Sequence, residues 1–454
     1  MQRLCAQHMR IFVSVAALAA IGCPKPTPKI TPKPPPRYAS TTLRVAVPEG
    51  QAKALVERHS RAWCGETGAK VQLVASDAPD ADLRLIAPAE LPRLASAGGL
   101  APLPNPEAIS RLLPLYASRL VTWDGKAYAL PIRGESLFLL YRLSEYRDAG
   151  LKPPSDWADF AEQAATLAKK LAKPSLPPLP TSDDDLDREF HAIASSYACK
   201  AVAGAVSKAT VSADQKVAGV FAFDYDPTTG LPRIDGPGFV EALELMQRLQ
   251  PFRGTSFANA VLGLASLDEL SALRGTADKW GVTRVPGSKR VNGAPLNESF
   301  ANVVPYVGHG GTLGVVSRGS PNIEAAFDLL QHLSGEAVSM EVVHEPEFSS
   351  GPFREPHLGR RTEGWSNYGL GVEATSRLRE VLRERADPRI DNPALVLRLP
   401  NAREHAVALA VELRRALTGG ATAADALKAA AAKWREIDGD PAATREAYKR
   451  GLGL

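Results

Sequence analysis

Apolar and polar positions in residues 41–454 alternate between a two-residue and a 3.6-residue period. Leu43-Arg-Val-Ala-Val47 reads as a strand. Gln51 to Cys64 reads as a helix, with Ala54, Leu55, Arg58, Ala62 and Trp63 along one side. Gly65 and Gly68 end it, and Val71–Ala75 and Asp82–Ile86 come next as short strands. This succession of strand, helix and strand predicts an open α/β sheet with helices on its faces. Pro88–Ala97 predicts a short helix closed by Gly98-Gly99, and Glu107–Leu120 an amphipathic one.

The stretch Trp123–Arg142 organises the rest of the chain. Asp124-Gly125 between apolar runs is a strong hairpin signal. Ala127–Ile132 and Leu137–Tyr141 read as buried strands, separated by Arg133, Gly134, Glu135 and Ser136. Two buried strands split by charges and a glycine suggest a chain crossing from one core to another. Polar groups at such a crossing face a cleft between lobes. An ordinary hairpin edge with solvated charges is the alternative.

Beyond Tyr141, Ser155-Asp156 is an N-cap pair for a helix carrying Trp157, Phe160, Ala164, Leu167 and Leu171 at helical spacing. Pro174–Pro180 is a rigid break. Asp183-Asp184-Asp185 lacks the glycine and terminal glutamate of a calcium loop and reads as an acid-stabilised helix start. Phe190–Val206 and Phe239–Leu249 read as helices, Asp224–Gly230 as a turn, and Val261–Leu267 and Gly281–Pro286 as strands. After Gly308-His-Gly-Gly311 come a strand at Thr312–Ser317 and a helix at Pro321–Leu333. Ala/Leu-rich helices occupy Arg403–Leu417 and Ala423–Ile437.

A chain of 454 residues is too long for one core. Its formal charge of +4 misleads, because six basic and no acidic residues fall in positions 1–40, leaving −2 for the remainder. A nearly neutral body with no basic stripe argues against nucleic-acid binding. Arg3 and Arg10 precede an apolar run, Ile11–Ile21, too short to span a bilayer. Residues 1–22 therefore read as an export signal. Ala20-Ile21-Gly22-Cys23 resembles a lipobox, in which Cys23 carries the lipid, although Ala20 stands where leucine is usual.

Residues 23–40 form a linker with seven prolines between Pro24 and Pro36, which resists helix and sheet. It would hold a domain on the order of 40 Å from a membrane. Cys64 and Cys199 remain, and export would allow them to pair. A bond between residues far apart and in different lobes would restrict lobe motion, so two buried free thiols are the favoured reading. No Cys/His spacing points to a metal or other cofactor.

Five segments resemble the extracellular solute-binding proteins, family 1, of ABC importers. They are Trp123–Pro131 with Glu135 and Tyr141; Gly150-Leu-Lys-Pro-Pro-Ser-Asp-Trp157; Trp280–Gly287; Gly314–Ala326; and Thr422–Trp434. The resemblance covers most of residues 41–440. It implies an α/β, two-lobed periplasmic-binding-protein fold of type II, its lobes built from discontinuous segments joined by a hinge. Lobe one would take 41–131 plus 300–345, and lobe two 135–297 plus 350–454.

The implied activity is capture of a small solute, a sugar or small oligosaccharide, by hinge closure and delivery to an ABC permease. The implied carrier is a lipid-anchored monomer outside the cytoplasm. Glu135 matches a carboxylate that binds sugar hydroxyls in maltodextrin-binding members, a role suited to an acceptor-only group. Asp187, Glu189 and Phe190 fall where such members present a carboxylate and a tyrosine. The Ser266–Asp268 loop and the helix start at Arg403–His405 fall where they place stacking tryptophans, and neither place holds one here. The segment after Ile86 is shortened to Ala87-Pro88-Ala89-Glu90. A small or polar ligand therefore fits better than a long maltodextrin.

Candidate ligand contacts are thus Glu135, Arg133, Asp187, Glu189, Asp268, Tyr306 and Arg403. Arg133 has a competing role as partner of Glu135. Trp280 reads as packing and His309 as a surface residue. No G-x-S-x-G, HExxH or P-loop motif supports catalysis, so an extracytoplasmic carbohydrate-active enzyme ranks below a sensor or scaffold on the same fold.

Overall fold

The computed structural model describes residues 36–199, 223–297, 299–304, 306, 308–359, 363–385 and 397–452. The expected export segment, Cys23 and nearly all of the linker lie outside these residues. So does the end of the helix expected over 190–206.

The first lobe is built on a five-stranded sheet, in the order Lys70–Val74, Thr42–Ala46, Leu83–Ile86, Thr312–Val316, Ala129–Arg133. The first three strands are parallel, which requires crossovers such as the helix Gln51–Thr67. Thr312–Val316 runs antiparallel to both neighbours. Ala129–Arg133 lies at the sheet edge, where Pro131 costs no ladder bond. One face is covered by Gln51–Thr67 and Ile323–Ser334 through Leu55, Val56, Leu329 and Leu330. The hairpin forms as expected: Thr122–Trp123 pairs with Lys126–Ala127 across Asp124 (φ 49°) and Gly125 (φ 70°).

The second lobe holds a three-stranded antiparallel sheet with Phe138–Arg142 between Leu262–Ala265 and Trp280–Thr283. Leu137 and Leu139 join the core made by helices Trp157–Leu171, Asp183–Ala198, Pro237–Leu249, Ala402–Leu417 and Ala423–Asp438. Phe138 and Leu140, on the opposite face, join a cluster with helix Val372–Arg385. That cluster continues beneath the first sheet through Tyr116, Leu120 and Leu313. The expectation of two fully separate cores is thereby corrected. The period of two sends alternate side chains of the middle strand to different clusters, and one of these spans both sheets.

Three further differences concern single segments. Glu107–Leu120 is not one helix; Pro114 interrupts it, leaving a short turn at Pro106–Ile109 and another at Tyr116–Leu120. Residues 353–355, expected with the second lobe, bond to the first. Leu113 N donates to Phe353 O at 2.9 Å, Glu355 N to Arg111 O at 3.1 Å, and Arg354 Nε to Ser334 O at 2.8 Å. A helix absent from the sequence expectation, Pro441–Leu452, meets the Thr122–Trp123 strand.

At that junction the buried Arg398 donates to Gly451 O (2.8 Å), Leu120 O (3.3 Å) and Thr122 O. Burial, helped by nearby Arg119, lowers its pKa to about 9. Trp280 is fully buried, as its packing role requires. Cys64 and Cys199 are free thiols. Cys199 is buried, which pushes its pKa up to about 12, whereas Cys64 is only half-buried.

Candidate functional site

The chain leaves the first sheet at Arg133 and enters the second at Phe138. A second pass runs beside it, with Gly134 and Gly351 paired as a bridge and Gly351 N donating to Gly134 O at 2.9 Å. A Cβ on Gly134 would sit 2.4 Å from Gly351 O, so only glycine permits this approach. A third segment returns through 308–311. Gly308 takes φ +76° against the Glu135 carboxylate, where a Cβ would lie 2.3 Å from Oε1. Three strands of chain thus converge on Glu135.

Two cavities lie between the lobes around this point. The inner one, of about 160 Å³, is lined by Arg133, Glu135, Arg188, Asp268, Thr312 and Ser349 among others. The outer one, of about 470 Å³, is lined by residues including Glu90, Asp184, Asp187, Tyr306, Arg403 and Trp434. The outer volume falls within the range of small-molecule sites. Its first-lobe wall is the shortened 87–90 segment, and its second-lobe wall is made of helix starts. Ser182 caps one of these helices by accepting from Asp185 N at 3.1 Å, which sets Asp183–Ala198 pointing its N-terminus at the cavity.

The charges are paired across the crossing. Arg188 of the second lobe donates to Glu135 Oε1 at 3.2 Å, and lies 2.7 Å from Asp185 and 3.7 Å from Glu269. His309 N donates to Glu135 Oε2 at 2.8 Å, while His309 Nε2 lies 3.0 Å from Asp187 Oδ2. His191 stands between Asp187 (3.1 Å) and Asp224 (3.1 Å). On the other flank, Gln51 at the start of a first-lobe helix donates to Asp268 at 2.7 Å and accepts from Arg133.

These pairings set the protonation states. Burial works against the Asp187 carboxylate, but His191 and His309 outweigh it and hold its pKa well below the usual range. Burial lowers His309 and His191, yet the facing carboxylates raise both overall. Arg188 is likewise raised, its burial overcome by Glu135, Glu269 and Asp185. Arg133 is lowered, since burial outweighs Asp268 and Glu135. Burial, then Asp187, pushes the Tyr306 phenol well up.

The structure brings six of the seven candidates to the cavities: Glu135, Arg133 and Asp268 to the inner, Asp187, Tyr306 and Arg403 to the outer. Glu189 is the exception. It pairs with Arg253 inside the second lobe and borders neither cavity. On a helix, residues 187 and 189 point about 200° apart. His309 is no surface residue; its ring, about a quarter exposed, lines the outer cavity.

Arg188, His191, Asp224 and Gln51 were not among the candidates. Arg188 left one signal, as the lone cation in the acidic run Asp183–Glu189. Among the described residues, no group of three His, Cys, Asp or Glu side chains is arranged to hold a metal.

Two α/β bodies joined by chain crossings, with a polar cleft at the crossings, define a hinged binding protein. The chain belongs to the bacterial extracellular solute-binding proteins, whose family model matches residues 65–354. No curated protein sequence matches it. Its fold is similar to that of the GacH receptor of Streptomyces glaucescens, solved unliganded and with acarbose. The TM-score is 0.63 at 17% identity, over 88% of this chain and 99% of that one. It is also similar to maltose-bound MalE3 of T. maritima, with TM-score 0.64 and 16% identity over 87% and 99% of the two chains. A third similar structure is an ABC-transporter solute-binding protein of Agrobacterium vitis with bound D-mannitol. Its TM-score is 0.61 at 18% identity, over 88% and 99%. All three likenesses are to two-lobed binding proteins, and the lobes described above share that fold.

Proposed function

We propose that this protein captures a small sugar, polyol or short oligosaccharide between its lobes and delivers it to an ABC importer. The observation that carries the reading is the convergence of Glu135, Asp187, Asp268, Arg133 and Arg403 on cavities lying between the two sheets. Carboxylates accept hydroxyl hydrogens and guanidinium groups donate to hydroxyl oxygens, so together they read a polyhydroxylated ligand. Similar folds bind acarbose, maltose and D-mannitol, which supports this ligand class. Neither the Ser266–Asp268 turn nor the Arg403–His405 start carries an indole, which favours a short, polar solute.

Ligand touching both lobes would stabilise the closed arrangement, the lobes dividing near residues 131–135 and 297–300. On the same reading the protein acts as a monomer without catalysis, held at a bacterial membrane by lipid on Cys23 and spaced from it by the proline-rich linker. A melting-temperature screen with maltose, maltotetraose, D-mannitol and ribitol tests the ligand class. At a hundred-fold excess over Kd, binding adds about 2.7 kcal/mol of stability. Small-angle scattering should then show compaction. Neither a thermal shift nor compaction with any of the four would refute the reading.

A further inference from the structure

We propose that Arg188 sets the length of the ligand, because its ion pair with Glu135 divides the groove between the lobes into two compartments. The inference rests on the reading that the groove is the ligand site, and it adds what that site excludes. The two cavities share no lining residue. What stands between them is a continuous chain of contacts across the groove. Arg188 bonds Glu135 at 3.2 Å, Glu135 takes the His309 N–H at 2.8 Å, and His309 meets Asp187 at 3.0 Å. Asp187 and Arg188 are neighbours on the helix Asp183–Ala198, so the wall begins and ends on the second lobe.

Every member of the wall is held from more than one side. The Arg188 guanidinium is surrounded by Glu135, Asp185 and Glu269, with its side chain one-fifth exposed. It is not a loose side chain that swings aside at no cost. A charged donor held by three carboxylates leaves only by giving up all three ion pairs. The His309 contact to Glu135 uses backbone and is fixed by the left-handed Gly308. Arg188 joins the wall through its side chain alone, so a substitution there opens it without moving the backbone.

With the wall closed, the outer compartment of about 470 Å³ admits a ligand of about two sugar rings, and the inner 160 Å³ falls below the usual small-molecule range. A chain that runs from the outer compartment into the inner one must displace Arg188 from Glu135. Specificity would thus come from an obstruction as much as from attraction.

The test is calorimetric titration of maltose, with two rings, and maltotetraose, with four, into the wild type, Arg188→Ala and Arg188→Gln. The wild type should bind maltose at least tenfold more tightly than maltotetraose. Either variant should narrow that ratio at least tenfold by gaining the longer sugar. A wild type that prefers maltotetraose, or a ratio unchanged in both variants, overturns the proposal. If no protein binds either sugar, the sugar reading fails, and a crystal structure of Arg188→Ala or Arg188→Gln judges the wall. One continuous groove sustains the partition, and two cavities still separated overturn it.

Discussion

The two compartments differ in what holds their walls. Around the inner one, polar side chains hold each other at the crossing, as in Arg188 with Glu135 and, from one lobe to the other, Gln51 with Asp268. Around the outer one, the second-lobe wall rests on apolar packing. Trp434 stacks on Tyr225 at 5.5 Å and donates to His405 O at 2.8 Å, and it is 1% exposed. Lobe position and inner-wall contacts are therefore one equilibrium, whereas the outer wall keeps its shape as long as its lobe is folded. A mutation in the first should move the lobes or the ligand, and a mutation in the second should move stability.

The largest expected effect breaks the outer wall. Trp434→Ala should lower unfolding free energy by about 3–5 kcal/mol in urea titrations. A loss below about 1 kcal/mol would mean that the wall does not rest on this ring. At the partition, Glu135→Ala removes the partner of Arg188 and should narrow the preference for maltose over maltotetraose at least tenfold, on the order of 1.4 kcal/mol, in calorimetry. An unchanged ratio would detach Glu135 from the partition.

The junction of the two compartments should respond to pH. His309 is raised on folding because burial, which lowers it, is outweighed by Asp187 and Glu135 against an opposing Arg188. A raised group lends its full stabilisation below its unfolded value of about 6.5, and loses it as pH climbs through the folded value. The gap in melting temperature between wild type and His309→Gln should accordingly be widest near pH 6 and shrink toward pH 9. A gap constant over that range would show that the His309–Asp187 contact does not depend on protonation.

Smaller effects sharpen the contrast. Glu189→Gln loosens a pair buried in the second lobe, with Arg253, and should leave maltose affinity within twofold. Asp187→Asn, two residues away, should not. Exposed Arg403 at the outer rim should matter least to folding, with Arg403→Ala changing stability by less than about 0.5 kcal/mol.

Much of the frame was legible because local chemistry is decisive there. Asp124-Gly125 dictates a hairpin, and the charged break at 133–136 separates strands that do enter different sheets. Glu135 could be found because it sits in that break. Arg188 and His191 could not, since whether a helical residue faces cleft or core depends on the phase of the helix. The acidic start Asp183–Asp185 obscures that phase. Gln51 and Asp268 meet only after folding, 217 residues apart in sequence. The helix Val372–Arg385 escaped notice for another reason. Its sequence is mostly polar, and it covers its sheet through few large residues, Leu378, Val381 and Leu382.

The junction at Arg398 has a mechanical consequence. Its guanidinium grips carbonyls at Leu120 and Thr122, under the five-stranded sheet, together with Gly451, which travels with the other body. The crossings at 133–137 already pin the bodies at one point, and this grip pins them at a second. A rigid displacement that spares two points can only be a turn about the line through them. Breathing of the cleft should therefore be a twist around that line, unless the arginine first lets go.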